Sequence, residues 1–319
     1  MGRTGYLRQG ASLAGTRKRY LACLYAASLG LAGIAAAAAA HQAGAVLDHS
    51  LAADRLLHGF DVATLLAVLM NPGVSTSALS QISTAMAALY FLAVLFLTPG
   101  IVYSFVHGEP PSTAALFRRS GEYFWAFVRM TLWTALFALP ILGVLNAGRR
   151  LLLKAVNART GDERIALAVS LATLAVIVVV AYFLRLWFDL AEFHLVRRAD
   201  RATRKTLCPA WRALCRAPGR LFAIHFACAL AGGLVFALGA WAWWHLPSPA
   251  VGLAMLVGQV MTLALIAARY WQRASEAAWF SANVPEEAPV TLPAPLPVAP
   301  PLPEPAPPLG EAPAPGTAE

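Results

Sequence analysis

Three side chains near the start of the chain have the types and the spacing of a reactive site. Asp54, His58 and Asp61 stand at positions i, i+4 and i+7, so a helix would place two carboxylates and an imidazole on one face. Only one nitrogen ligand is in register, and the predicted face opens toward water, which is a weak arrangement for a metal ion. We therefore interpret it as the solvated face of an amphipathic helix within residues 48–70, with a membrane-surface enzyme as the alternative.

A second charged set has the same helical spacing. Arg185, Asp189 and Glu192 share one face of a predicted helix. Two carboxylates three residues apart could pass a proton between them if water were excluded. Arg185 is placed to neutralise these carboxylates, so we predict a structural ion pair, and a proton relay is the alternative.

The segments that must position these residues are strongly apolar. Hydrophobic residues make up 59% of the chain, and the mean hydropathy is +0.61. Six stretches are each close to the roughly 20 residues that cross a hydrocarbon core. They cover residues 21–40, 82–106, 130–148, 165–184, 221–245 and 251–268. We predict an all-α integral membrane protein, a six-helix transmembrane bundle with amphipathic interfacial helices and a disordered Pro-rich C-terminal tail.

Composition divides the chain into three parts. Residues 1–20 form a predicted basic cytoplasmic arm, residues 21–283 the six-helix domain, and residues 284–319 an acidic tail that contains 13 of the 22 prolines. A cleavable signal peptide is the alternative for the first span, but its apolar run of about 20 residues exceeds the usual 7 to 15, so we interpret it as a retained anchor. The tail has the composition of a disordered spacer, and its PxxP patterns make a protein partner the alternative.

The distribution of positive charge predicts the orientation. With the N-terminus inside, 17 Lys and Arg residues fall on the cytoplasmic side and six on the outer side. This asymmetry predicts that both termini lie in the cytoplasm. The segment 149–164 does not fit this distribution, because five of the six basic residues on the outer side lie in it.

The most cationic segment lies between the fourth and fifth spans. We predict a basic helix through Arg197 and Arg204 and a second helix that starts at Pro209 and ends before Pro218. Basic helices at a membrane surface attract anionic phospholipid head groups. The predicted lipid-binding or partner-binding residues are Arg197, Arg198, Arg201, Arg204, Lys205, Arg212, Arg216 and Arg220. The alternative is that these charges only set the topology.

The sequence lacks the common motifs of hydrolases and nucleotide-binding enzymes. The chain has no HExxH, GxSxG, Walker A or GxGxxG pattern, and its four cysteines form no CxxC. We therefore expect no enzymatic activity, no cofactor or metal, and no nucleic-acid partner. The leading interpretation is a membrane scaffold or accessory protein. The rival is a small-solute transporter or channel, based on Pro99 and Gly100, which could unwind the second span, and on Gln259 in the sixth.

The order of these segments resembles a known type of protein. A basic arm, the outer segment DHSLAADRLLHGFD, SGEYFWAFVRM before the third span, and DLAEFHLVRRADR followed by WRALCRAPGR before the fifth carry the resemblance. The chain resembles uncharacterised bacterial six-span inner-membrane proteins and, loosely, the membrane domains associated with glycerophosphodiester phosphodiesterases. The resemblance implies residence in the bacterial cytoplasmic membrane and carries over no catalytic residue.

Overall fold

The computed structural model describes residues 3–48, 63, 66–67, 70–71, 75–160, 162–198, 202–247 and 250–285. Within these residues the named elements are all helices and no strand occurs. They are α1 (Arg3–Thr16), α2 (Lys18–Leu47), α3 (Thr76–His107), α4 (Thr113–Thr160), α5 (Glu163–Arg197), α6 (Arg204–Arg216), α7 (Pro218–Trp244) and α8 (Val251–Asn283). Six of them, all except α1 and α6, are long and apolar enough to cross a membrane. The predicted fold class is confirmed, and the chain is a multi-pass membrane protein.

Several helices continue well beyond the predicted spans. α4 has 48 residues, which corresponds to about 72 Å at the helical rise per residue. It therefore extends past a hydrocarbon core of roughly 30 Å. The predicted loop 149–164 is mostly helical, because α4 ends at Thr160 and α5 begins at Glu163. The side chain of Asp162 caps α5 by accepting a hydrogen bond from the backbone N–H of Arg164 at 2.8 Å.

The buried core lies at one end of the bundle, which we call the charged end. It comprises α1, α6, the start of α2, the α3–α4 connection, the last turns of α5, the start of α7 and the last turns of α8. The core includes Val102, Leu116, Leu190, Leu221 and Ala274, each 0 to 1% exposed. Toward the opposite end, large apolar side chains are exposed, as a lipid environment allows. Examples are Leu139, Val144, Leu238 and Met255.

The predicted basic arm forms a helix that packs against α8. Gly10 allows this contact, because a Cβ at this position would lie 2.6 Å from the backbone nitrogen of Ser275. The indole N–H of Trp271 donates to the carbonyl oxygen of Leu7 at 3.0 Å. At the neighbouring residue of α1, the hydroxyl of Tyr6 accepts a hydrogen bond from the side-chain amide of Asn283 at 3.2 Å. The two ends of the helical domain therefore meet at the charged end.

The second span does not unwind at its proline. α3 continues through Pro99, and Gly100 faces the start of α4. A Cβ at Gly100 would lie 2.6 Å from the hydroxyl of Ser120 and 2.8 Å from the Leu116 side chain. Gly100 is therefore a point of close helix packing.

The basic segment differs from the predicted pair of helices. α5 ends at Arg197, and Arg198 has extended backbone angles, so no single helix joins Arg197 to Arg204. α6 begins at Arg204 and contains Pro209 in its interior, so the predicted start at Pro209 is wrong. Pro218 occupies the first turn of α7, which confirms the predicted break before the fifth span.

Two predicted segments lie largely outside the described residues. The amphipathic helix within residues 48–70 is one of them, and it includes Asp54, His58 and Asp61. The tail is the other, since the structure describes only residues 284 and 285 of it.

Candidate functional site

A buried carboxylate at the charged end holds α5 against α8. Asp189 of α5 is 1% exposed. The guanidinium of Arg269 donates to both of its oxygens at 3.0 Å. Arg185 Nε lies 3.3 Å from Oδ1, which confirms the predicted ion pair, and Arg273 Nη2 lies 3.6 Å from the same oxygen. A carboxylate removed from water in this way needs its cationic partners to remain ionised.

The network continues along α8. Arg273 also approaches Glu192, with Nη1 3.3 Å from Oε2. Arg273 therefore bridges Glu192 and Asp189, so each carboxylate has a cationic partner and the two need not share a proton. The geometry favours the ion-pair interpretation of this helical face over the proton relay.

A second buried set joins α7 to α8. His225 Nδ1 lies 3.2 Å from Glu276 Oε1, and both residues are at least 95% buried. The amide nitrogen of Gln272 donates to the same carboxylate oxygen at 2.7 Å and contacts the imidazole. Glu276 Oε2 is buried and has no hydrogen-bond partner among the described residues. The ring of Tyr182 closes one side of the imidazole, with centroids 4.6 Å apart.

One part of this network has the side chains of a metal site. Asp189, His225 and Glu276 each offer a ligand atom, and these atoms lie within 4.8 Å of one another. However, Asp189 already interacts with Arg185, Arg269 and Arg273. Three guanidinium groups at this distance would repel a divalent metal ion. Solvent screens this repulsion little, because the site is buried. The arrangement therefore favours a structural ion network over a metal centre.

The contacts of Asp189 with Arg269 and Arg273 of α8 were not predicted, although the sequence carries a signal for them. Arg269, Gln272, Arg273 and Glu276 follow the spacing i, i+3, i+4 and i+7, which places them on one helical face. The charge distribution predicts only that the basic residues after Ala268 lie on the cytoplasmic side of the sixth span, not that they pack against other helices. α8 instead continues to Asn283 with this face turned toward α5 and α7.

The predicted lipid-binding residues divide into exposed and packed positions. α6 carries four cations and no carboxylate, and one side of this helix is exposed. We call this side the α6 surface. Its members are Arg204, Lys205, Cys208, Trp211, Arg212, Cys215 and Arg216. The opposite side of α6, including Thr206, Ala210 and Leu214, is buried in the core. α6 is therefore an amphipathic helix with a basic outer face, and Arg220 at the start of α7 is exposed beside it.

Two other predicted residues have structural contacts, and one is not described. The guanidinium of Arg197 lies 4.2 Å from the ring centroid of Phe280 and donates to the carbonyl oxygen of Val284 at 2.8 Å. Arg198 donates to the carbonyl oxygen of Lys205 at 3.2 Å. Arg201 lies outside the described residues. We therefore assign Arg197 and Arg198 to packing rather than to the α6 surface.

Aromatic rings connect the α6 surface to the membrane-spanning helices. Trp211 is 50% exposed, and its ring meets Trp187 of α5 edge-on at 5.4 Å. Trp187 donates its indole N–H to the carbonyl oxygen of Leu207 and packs on Phe137 of α4. Tryptophan at such positions is typical of the boundary between hydrocarbon and head groups. The contact therefore predicts a position for α6 near that boundary.

The polar residues within the spans do not converge. Gln259 of α8 accepts a hydrogen bond from the hydroxyl of Tyr25 in α2 at 2.9 Å. His225 lies in the α7–α8 network, and Asn146 is half-buried on α4. Neither Gln259 nor His225 lines the grooves of about 370 Å³ and 420 Å³ that the described residues form. This geometry gives no support to a conduit through the bundle.

Comparison of the chain with protein-family models, with curated proteins and with solved structures finds no match.

Proposed function

We propose that this protein is a non-enzymatic membrane scaffold or accessory protein whose charged end binds anionic phospholipid head groups through the α6 surface. The observation that carries the proposal is a helix with four cations, no carboxylate and an exposed tryptophan, packed by its apolar face on the core. Each basic residue near an anionic membrane surface contributes about 1 kcal/mol of attraction. The exposed tryptophan adds an amphipathic ring suited to the head-group level.

The proposed location is the bacterial cytoplasmic membrane with both termini in the cytoplasm. The excess of basic residues on the predicted inner side supports this orientation. The contact between Tyr6 and Asn283 supports a common side for the two ends of the helical domain. In this orientation the α6 surface faces the anionic inner leaflet, and the Pro-rich segment 284–319 would serve as a spacer toward a protein partner.

The absence of enzymatic activity is also a proposal, supported by the state of the charged residues. Within the described part of the chain, the carboxylates of Asp189 and Glu192 on α5 are neutralised by Arg269 and Arg273 on α8. Residues paired in this way stabilise a fold more readily than they act on a substrate. The anionic lipid surface is therefore the ligand that the exposed groups favour.

The test is the removal of charge from the α6 surface. Arg204, Lys205, Arg212 and Arg216 are replaced together by Gln. Binding of a fluorescent short-chain phosphatidylglycerol to the detergent-solubilised protein is then measured. We expect affinity to fall at least about tenfold, which corresponds to 1.4 kcal/mol and is less than the combined attraction of four cations. Raising the salt concentration should weaken binding to the wild-type protein in the same direction.

The matched control removes four exposed cations from the opposite end of the bundle. Arg150, Lys154, Arg159 and Arg164 are exposed on α4 and α5 and are replaced by Gln in a second variant. This control should bind phosphatidylglycerol as the wild-type protein does. Equal loss in both variants would indicate a general effect of net charge, and unchanged binding in the α6 variant would refute the proposal.

A further inference from the structure

A groove opens between three membrane helices just beyond the end of α1. It has a volume of about 420 Å³ and is bounded by α1, α2, α7 and α8. Alanine and glycine make up much of its lining, beside Leu21, Val235, Tyr270 and Trp271, so the helices leave a space between them. Its lining includes Lys18, Ala231, Gly232, Ala264, Ala267 and Ala268.

The groove is a consequence of how these helices are joined. Gly232 brings α7 against α8, since a Cβ at this position would lie 2.8 Å from the Cβ of Ala268. The contact of α1 with α8 through Trp271 and Leu7 fixes α1 across the end of the groove. α2 turns away from α1 at Arg17 and leaves the space open toward the membrane. The walls are held by packed elements, so the groove is built into the fold.

The groove begins at the charged end and extends into the apolar part of the bundle. Ala231 and Gly232 are in the middle of α7, and Ala264 to Ala268 are the last residues of the apolar stretch 251–268 in α8. The nearby side chains of Leu230, Leu234 and Leu263 are exposed and apolar, so hydrocarbon surrounds the opening. The medium that enters such a groove is a lipid chain rather than water.

The charge at the groove points to the kind of lipid. Lys18, the first residue of α2, is the one charged residue among the residues that line it, and none of these lining residues is acidic. Lys18 is exposed at the point where the α2 span begins. An ammonium group at the head of an apolar groove complements an anionic group attached to a hydrocarbon chain.

We propose that this groove binds one acyl chain of an anionic phospholipid, with the phosphate of that lipid at Lys18. The site uses α1, α2, α7 and α8 and shares no residue with the α6 surface. It therefore adds a discrete lipid to the diffuse attraction of the basic helix, and either site can fail without the other.

The test combines a variant that fills the groove with one that removes its charge. Ala267→Phe places a ring in the space, and Lys18→Gln leaves the apolar walls intact. The purified proteins are equilibrated with phosphatidylglycerol or with phosphatidylcholine and examined by native mass spectrometry. We expect the wild-type protein to retain one phosphatidylglycerol preferentially. Ala267→Phe should reduce its occupancy at least about fivefold, and Lys18→Gln should remove the preference over phosphatidylcholine.

The control for the bulky substitution is Ala237→Phe, which adds the same ring at an exposed position of α7 outside the groove. This variant should retain lipid as the wild-type protein does. The α6 variant with four Gln substitutions should also keep the single bound lipid, which separates this site from the proposed function. Lipid retention by Ala267→Phe equal to that of Ala237→Phe, or equal retention of both lipids by the wild-type protein, would overturn the inference. If Ala267→Phe is not monodisperse, Lys18→Gln alone decides the outcome.

Discussion

At the scale of single residues, Asp189 is a buried carboxylate with three cationic partners. Its carboxylate is enclosed by α5 and α8 and faces Arg185, Arg269 and Arg273. A buried ion network of this kind is costly to desolvate, so its net contribution depends on every partner being present. Loss of the carboxylate leaves cationic groups at the membrane boundary without compensation.

We predict that Asp189→Asn destabilises the protein by about 3 to 5 kcal/mol, the range for breaking one partner of a buried ion pair. Thermal unfolding in detergent measures the effect. Asp162→Asn is the matched control, because this exposed residue caps α5 and asparagine caps a helix equally well. A variant at Asp189 as stable as the control would show that the ion network does not hold α5 to α8.

Ion pairs within one helix can be predicted from the sequence, but ion pairs between distant helices cannot. The pair Arg185 and Asp189 was predictable, because i, i+4 spacing is a property of one helix. Arg269 is 80 positions from Asp189, so their contact depends on how α5 packs against α8, which one sequence does not reveal. The packing of Arg197 on Phe280 is a long-range contact of the same kind, so the sequence pattern does not reveal it either.

At the scale of elements, close helix contacts depend on small residues at particular positions. Gly100 of α3 faces Leu116 and Ser120 of α4 with no room for a side chain. The backbone carbonyl oxygen of Leu116 is part of this contact, so the neighbour cannot move aside by changing a rotamer. A larger residue must separate the two helices.

We predict that Gly100→Ala destabilises the protein by about 1 to 3 kcal/mol, as overpacking of a close-packed interface does. Gly143→Ala in α4 is the control, since no atom lies within 4 Å of a Cβ there. This control should be neutral or gain up to about 1 kcal/mol from helix propensity. The melting temperature in detergent should therefore fall for Gly100→Ala and stay level or rise for Gly143→Ala, and an equal decrease in both variants would contradict the close contact.

Element type was predictable and element length was not. The six apolar runs identified the membrane helices because hydrocarbon selects for them. The apolar pattern stops at residues 148 and 268, although α4 and α8 continue through the polar residues that follow. Helix–helix packing at the charged end stabilises the extra turns of α8, and local sequence does not report that packing.

At the scale of the whole molecule, the core is concentrated at the charged end while the membrane-spanning portions expose apolar surface. Ends of all six membrane helices meet at the charged end, where α1 and α6 cover the boundary. In the proposed orientation the ion-paired part of the protein lies beside the head groups. The basic face of α6 is then exposed at that level.

We predict that reporters attached at the two chain termini lie on the same side of the membrane. In a bacterial host, fluorescent-protein fusions at either end should be fluorescent and alkaline phosphatase fusions should be inactive, as expected for cytoplasmic termini. Active phosphatase at one end only would contradict an even number of crossings.

The most direct test of the lipid-binding account measures the position of α6 in a membrane. Cys208 lies on the exposed face of this helix and can carry a spin label after Cys23 and Cys215 are changed to Ser, while Cys228 is buried. In phosphatidylglycerol liposomes the account predicts a label that is accessible to membrane-dissolved oxygen and protected from a water-soluble nickel chelate. A label that stays equally accessible to the chelate in phosphatidylglycerol and phosphatidylcholine liposomes would contradict it.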